Sequence, residues 1–354
     1  MEATSRVFRW FFASHSPRGI PAFAFKIRSI TLHLSPPSQD NVSPSHSNVV
    51  LMHWKWVSRD LHHLRELAFL GTKVQFTGVR DLLAVLPPTA RLRRFICEDD
   101  RLLFGSLNSL LNHQETLEDF GGFFDTGIDK PPMTPAAFLD RFSNVHTLDV
   151  GMSFVTLQNH PGSVKSLCVR LDWTWMLSVV RSVWRIFGTT VRTLRLERNG
   201  VLDGRELHDG YPLIEGQESP LFLCTHLNMP ALRYLEIRDT ALAEAQREGT
   251  KPPCPDAESL GKPPPSDDYD GVCNLDCLAW RPWWAKQGGE YRNCADAFVR
   301  AAEESWLPVR KVLMSLDERT SGVWDMWTRP DEDFPFERKC TWGAIKDDSW
   351  KHME

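Results

Sequence analysis

Several signals are scarce or missing in this 354-residue chain, and each absence removes a class of function. Eight cysteines, at 97, 168, 224, 254, 273, 277, 294 and 340, are too sparse and scattered for a disulfide scaffold. They read as reduced thiols, which points to a cytoplasmic or nuclear protein. No long apolar run exists. Val7–Ala13 is short and broken by Arg9, and Met176–Phe187 is interrupted by Arg181 and Arg185, so neither suits a signal core or a membrane span. There is no basic excess. The formal net charge is -5, whereas nucleic-acid binding calls for a basic face. Phosphate loops, nucleophile elbows, dinucleotide-binding glycine turns and His-Glu-x-x-His helices are also missing. No catalytic residue, cofactor, membrane contact or nucleic-acid partner is therefore expected.

What the chain does have is a recurring phrase of apolar, two others, apolar, one other, apolar. It reads Ile27-Arg-Ser-Ile30-Thr-Leu32, Leu64-Arg-Glu-Leu67-Ala-Phe69, Leu92-Arg-Arg-Phe95-Ile-Cys97 and, degenerate, Leu117-Glu-Asp-Phe120. It returns as Val145-His-Thr-Leu148-Asp-Val150, Val164-Lys-Ser-Leu167-Cys-Val169, Val191-Arg-Thr-Leu194-Arg-Leu196 and Leu232-Arg-Tyr-Leu235-Glu-Ile237. Four of the seven gaps between copies are 25 to 28 residues, the period of leucine-rich repeats. A basic residue stands second in six of the eight copies: Arg28, Arg65, Arg93, Lys165, Arg192 and Arg233.

The last two apolar residues of each phrase alternate with polar ones, as a half-buried strand requires. Helical patterns lie between phrases, at Val79–Leu86, Leu102–Leu111, Pro135–Phe142 and Met176–Phe187, the last followed by Gly188 as a stop. This alternation predicts an α/β fold, a leucine-rich-repeat-like solenoid with parallel strands on one face, helices on the other and a C-terminal cap. Residues 1–26 form an N-terminal segment and 27–240 the repeats. Residues 241–275 form a proline-rich, acidic, flexible insertion, and 276–354 a tryptophan-rich helical cap. In the cap, Ala295–Leu316 is expected to be helical, with Trp306, Val309, Val312 and Leu313 as its apolar stripe.

Alternation also assigns the strand positions that face away from the core. Asp149, Arg170, Arg195, Glu197, Tyr234, Glu236 and Arg238 then form a mixed-charge strip, where a solenoid binds a protein partner. A solvated face with cross-strand ion pairs is the alternative reading. Cys254, Cys273, Cys277 and Cys294 cluster in sequence, but no second close pair completes a tetrahedral set, so no metal is expected. Trp280, Trp283 and Trp284 read as packing rather than a ligand platform. An enzyme pocket would have to join Asp325, Asp331, Glu332 and Asp333 to the repeats.

The stretches Phe142-Ser-Asn-Val-His-Thr-Leu-Asp-Val150 and Met229-Pro-Ala-Leu-Arg-Tyr-Leu-Glu-Ile237 resemble the repeats of fungal F-box/leucine-rich-repeat proteins. The resemblance covers residues 27–240. It implies substrate recognition for a cullin-type ubiquitin ligase, with a Skp1-type adaptor as partner where an F-box is present. The 26 residues before the first phrase carry no Leu-Pro start, and Leu86-Pro87 lies inside the array. A chain without the F-box, or a truncated gene product, is therefore the expectation.

Overall fold

A computed structural model describes residues 27–33, 61–70, 86–97, 114–122, 139–151, 154–155, 160–172, 176–200, 221, 224, 228–241, 274–281, 289–304, 308–315, 324–330 and 334–340. The chain divides into two compact units, Met1–Gln158 and Asn159–Glu354. In each, strands that neighbour one another in the sheet also follow one another in sequence.

The first unit holds β1 (Ser29–His33), β2 (Glu66–Leu70), β3 (Arg94–Cys97), β4 (Asp119–Gly122) and β5 (Thr147–Gly151), each parallel to the next. Every one of these strands is the second half of a phrase. A tight turn leads into most phrases, as in Leu64 N–H to Leu61 O at 3.1 Å, Leu117 N–H to Gln114 O at 3.1 Å and Val145 N–H to Phe142 O at 3.0 Å. The carbonyl of the phrase's second residue then accepts two amides from the next repeat. Arg65 O takes Arg93 N–H at 2.7 Å and Arg94 N–H at 3.0 Å, and Glu118 O takes those of His146 and Thr147. This paired bond recurs at Arg28, Arg93, Lys165, Arg192, Arg233 and Asp276, and it sets the register of the ladder.

The apolar positions of the phrase make the core. Leu64, Leu67, Leu92, Phe95, Leu117, Phe120, Val145, Leu148 and Val150 are fully buried, each worth about 1.5–3 kcal/mol of transfer free energy. Phe95 and Phe120 stack with centroids 6.3 Å apart. One polar side chain enters this core. Gln114 accepts from Leu92 N–H at 2.6 Å and donates to Ala90 O at 3.0 Å, so it satisfies two backbone groups of the preceding repeat.

The second unit continues the pattern with β6 (Ser166–Asp172), β7 (Thr193–Gly200), β8 (Tyr234–Ala241), β9 (Cys277–Arg281) and β10 (Lys311–Ser315), again parallel in order. Helix α1 occupies Met176–Phe187, the residues the periodicity indicates. Its Val180, Val183, Ile186 and Phe187 are buried while Arg181 and Arg185 face solvent. Gly188 ends it for a reason of space. A Cβ there would stand 2.4 Å from the Trp184 carbonyl oxygen and 2.8 Å from that of Asn228.

Two parallel strands beyond residue 240 depart from the expected organisation. Leu275-Asp-Cys-Leu278-Ala-Trp280 and Val309-Arg-Lys-Val312-Leu-Met314 are repeat phrases, and their apolar residues are buried like those of the others. Trp280 and Met314 fill the third position, where the clear copies carry Leu, Val, Ile, Phe or Cys. The expected helix over Ala295–Leu316 is correspondingly split. Helix α2 runs Gly289–Glu304 and β10 follows, so Val309, Val312 and Leu313 belong to a repeat rather than to a helical stripe. Phe298 of α2 packs on Trp280 with centroids 4.8 Å apart. Among the described residues, the unit ends on two strands, β11 (Trp324–Thr328) and β12 (Glu337–Cys340), antiparallel after β10. Arg329 anchors this end by donating to Val309 O at 2.7 Å.

The fold is a leucine-rich-repeat-like α/β solenoid by its own geometry, one strand per phrase and parallel throughout the repeats. Most of residues 241–275, and residues 1–26, lie outside the described residues, as do the helical patterns at Val79–Leu86 and Leu102–Leu111 apart from Leu86. Among the described residues, no helix is long and apolar enough to cross a membrane.

Candidate functional site: the outward strand face

Parallel registration stacks equivalent phrase positions into rows that run across the strands. In the first unit, one outward row is Ser29, Glu66, Arg94, Asp119 and Thr147, and the next is Thr31, Ala68, Ile96, Gly121 and Asp149. The first row is polar throughout, whereas Ala68, Ile96 and Gly121 of the second are buried. Ser29, Thr31 and Glu66 are exposed, and Arg94, Asp119, Thr147 and Asp149 are half-buried. Strand β5 alternates strictly between half-buried and buried residues. Polar neighbours pair across strands: Ser29 Oγ donates to Glu66 Oε2 at 2.9 Å, and Arg94 meets Asp119 at 3.2 Å. A Cβ on Gly121 would come within 3.3 Å of Asp149 Cβ, so this glycine leaves room for the carboxylate on the adjoining strand.

The corresponding rows of the second unit are filled. The first is Ser166, Thr193, Tyr234, Cys277 and Lys311, and the second is Cys168, Arg195, Glu236, Ala279, Leu313 and Met326. Of the residues expected to form an exposed strip, Tyr234 is 2% exposed, Arg195 5%, Glu236 1% and Arg238 9%. Accessibility is the point corrected here. Large side chains set side by side on strands about 4.8 Å apart shield one another from water.

The charges are matched accordingly. Arg195 donates through Nε to Glu236 Oε2 at 3.0 Å, and its second arm meets the same oxygen at 3.0 Å. Arg238 donates to Glu236 Oε1, and Tyr234 donates its hydroxyl to Glu236 Oε2 at 3.2 Å. Arg170 reaches Glu197 at 3.4 Å, and Arg195 reaches the same carboxylate at 3.9 Å. Glu236 thus bridges two guanidiniums and fixes one phenol. Burial, with the Glu236 charge beside it, pushes the Tyr234 hydroxyl well above its ordinary value of 10.0.

An apolar cluster surrounds this network on the same face, made of Cys168, Tyr234, Cys277, Ala279, Leu313 and Trp324, with Met326 packed against it. Burial raises the Cys277 thiol from its ordinary 9.0 to about 12, so it is protonated and unreactive at neutral pH. Cys254 and Cys273, expected with it in one sequence cluster, lie outside the described residues.

Six of the seven strip residues therefore share one connected surface in the second unit, while Asp149 belongs to the first. Sequence reasoning missed the apolar outward residues Cys168, Cys277, Ala279, Leu313 and Trp324. For Cys168 a signal was present: it is an apolar residue at the position where the next two copies carry Arg195 and Glu236. Of the acidic residues proposed for an enzyme pocket, only Asp325 is among the described residues. It is buried and accepts from Arg338 at 2.7 Å, while Asp331, Glu332 and Asp333 lie outside the described residues. Trp280 is buried in the core, and Trp283 and Trp284 lie outside the described residues.

No family model matches this chain, and no curated protein matches it. Among solved structures, the leucine-rich repeat-containing protein LegL7 from Legionella pneumophila is similar, with 13% sequence identity and a TM-score of 0.44 over 82% of this chain and 83% of that one.

Proposed function

We propose that this protein binds another protein, with the ligand lying across the outward strand face of the first unit. The carrying observation is the row Ser29, Glu66, Arg94, Asp119 and Thr147, polar throughout, exposed or half-buried, and held by a fully buried inner face. A rigid ladder with one adjustable side chain per strand presents contacts whose ordering entropy is already spent. The network of Arg195, Glu236 and Arg238 in the second unit supports the array rather than the ligand, because its members are buried and bonded to one another.

Delivery of the bound protein to a cullin-type ubiquitin ligase in the cytoplasm or nucleus is a narrower form of the same reading. Co-precipitation with a purified Skp1-type adaptor tests that form, and no recovery removes it.

The broader reading is tested by placing a photo-crosslinker at Thr147 and, as a control, at Arg181 on the exposed side of α1. The expected result is one specific adduct from Thr147, lost on Asp149→Arg, and none from Arg181. Equal labelling from both positions, or an adduct indifferent to Asp149→Arg, would overturn it.

A further inference from the structure

The repeated basic residue at the second phrase position takes no part in either strand face. In the first unit it builds a site of its own. Arg28, Arg65 and Arg93 occupy equivalent positions where three adjacent strands begin. Together with His63 and Glu66 they line an open cleft of about 440 Å³. That volume is within the range of ligand sites.

The backbone beneath the cleft is fixed. The carbonyls of Arg28, Arg65 and Arg93 each accept two amides of the following repeat, at 2.7 to 3.0 Å. The three Cα positions are thus held at the strand spacing of about 4.8 Å. Arg28 and Arg93 are exposed and Arg65 is half-buried. Arg65 gives one donor to Arg91 O at 2.9 Å. Arg93 meets Glu118 at 3.6 Å, with both side chains at least half exposed, a contact of little strength. The carboxylate of Glu66 is engaged by the Ser29 hydroxyl. Three guanidiniums against one carboxylate leave the lining net positive. The row ends where Glu118 and His146 take over the second position.

We infer that this edge cleft is a docking site for an acidic peptide segment of a partner protein. Guanidinium forks pair with carboxylates through two parallel hydrogen bonds, and several forks on a fixed pitch suit several carboxylates on one extended strand. A nucleic acid is the poorer fit. Among the described residues, the cleft is lined by no Phe, Tyr or Trp on which bases could stack. The inference rests on the protein-binding reading above but uses a different surface.

The test is fluorescence anisotropy of a labelled oligo-glutamate peptide titrated with the full-length protein at low salt. Saturable binding is expected. It should weaken roughly tenfold or more in Arg65→Glu and in Arg28→Glu, and be lost at high salt. Arg65→Lys should fall between these variants and the unaltered protein, because it keeps the charge and loses the fork. Lys165→Glu and Arg192→Glu, the same phrase position in the second unit, should change binding less than about twofold. Circular dichroism of each variant establishes that it is folded.

The inference is overturned by absence of saturable binding. It is equally overturned if the second-unit variants weaken binding as much as the first-unit ones. A single-stranded oligonucleotide displacing the peptide at lower concentration than unlabelled peptide does so as well. Failure here, with the Thr147 adduct intact and sensitive to Asp149→Arg, removes the acidic-peptide site and leaves the strand-face reading standing.

Discussion

Thr147 and Thr193 hold the same place in the repeat phrase, third after the opening valine, yet one is half-buried and the other is 2% exposed. The inner faces beneath them are alike, with Leu148 and Val150 in one unit and Leu194 and Leu196 in the other, all fully buried. The difference lies in what the neighbouring strands carry outward. Thr147 has Asp119 beside it. Thr193 has Ser166 on one side and Tyr234 on the other, with the apolar cluster of Tyr234, Cys277 and Trp324 beyond. The same backbone, built from the same phrase, gives a solvated face in one unit and a second buried layer in the other. Accessibility of a repeat's outward residue is thus decided by its lateral neighbours and not by its place in the phrase.

Glu236→Ala strains this comparison hardest. It leaves Arg195 and Arg238 buried without their shared carboxylate and Tyr234 without its acceptor, an expected loss of about 3–5 kcal/mol in chemical denaturation. The analogous Asp119→Ala in the first unit, where Arg94 and Asp119 are partly solvated, should cost no more than about 1 kcal/mol. Equal losses would mean that the two faces do not differ in the way their exposure indicates.

A second distinction is alkaline stability. Cys277 keeps its proton in the folded state up to about pH 12, whereas the unfolded thiol loses its own near 9.0. Between those values the unfolded state binds fewer protons, so stability falls as pH rises. Wild type should therefore lose more stability than Cys277→Ala between pH 9 and 11, read from denaturation midpoints. Parallel profiles would show that the thiol is not held protonated by the buried layer.

The smallest expected effect is the most specific to the comparison. Thr193 Oγ1 is buried and finds no hydrogen-bond partner among the described residues, so Thr193→Val should be neutral or stabilising by up to about 1 kcal/mol. Thr147→Val, made where water reaches, should stay within about 0.5 kcal/mol of zero. A destabilised Thr193→Val would place a partner on that hydroxyl.

The recurring phrase made the ladder legible wherever its third apolar residue was of an ordinary kind, and α1 was legible to the residue because Arg181 and Arg185 fall on one side of an otherwise apolar stretch. The phrases at Leu275 and Val309 were less legible, since Trp280 and Met314 fill a third position that carries Leu, Val, Ile, Phe or Cys in the clear copies. The strip was legible as a set of outward positions. Its burial was not, because alternation says which side of a sheet a residue faces and nothing about how much of that side is covered. The basic edge was visible as a repeated residue type, but a cleft requires three such residues on adjacent strands with their backbones in one register.

Sequence alone determined the period, the inward residues and the parallel α/β order, since these follow from local spacing and the need to bury one side of each strand. Only the tertiary structure decided that Glu236 gathers two arginines and a tyrosine, that Thr147 is half-buried where Thr193 is buried, and that Arg28, Arg65 and Arg93 share a cleft. Those properties depend on contacts between strands some 25 to 40 residues apart in the chain. They arise from lateral packing, which no pattern within one repeat encodes.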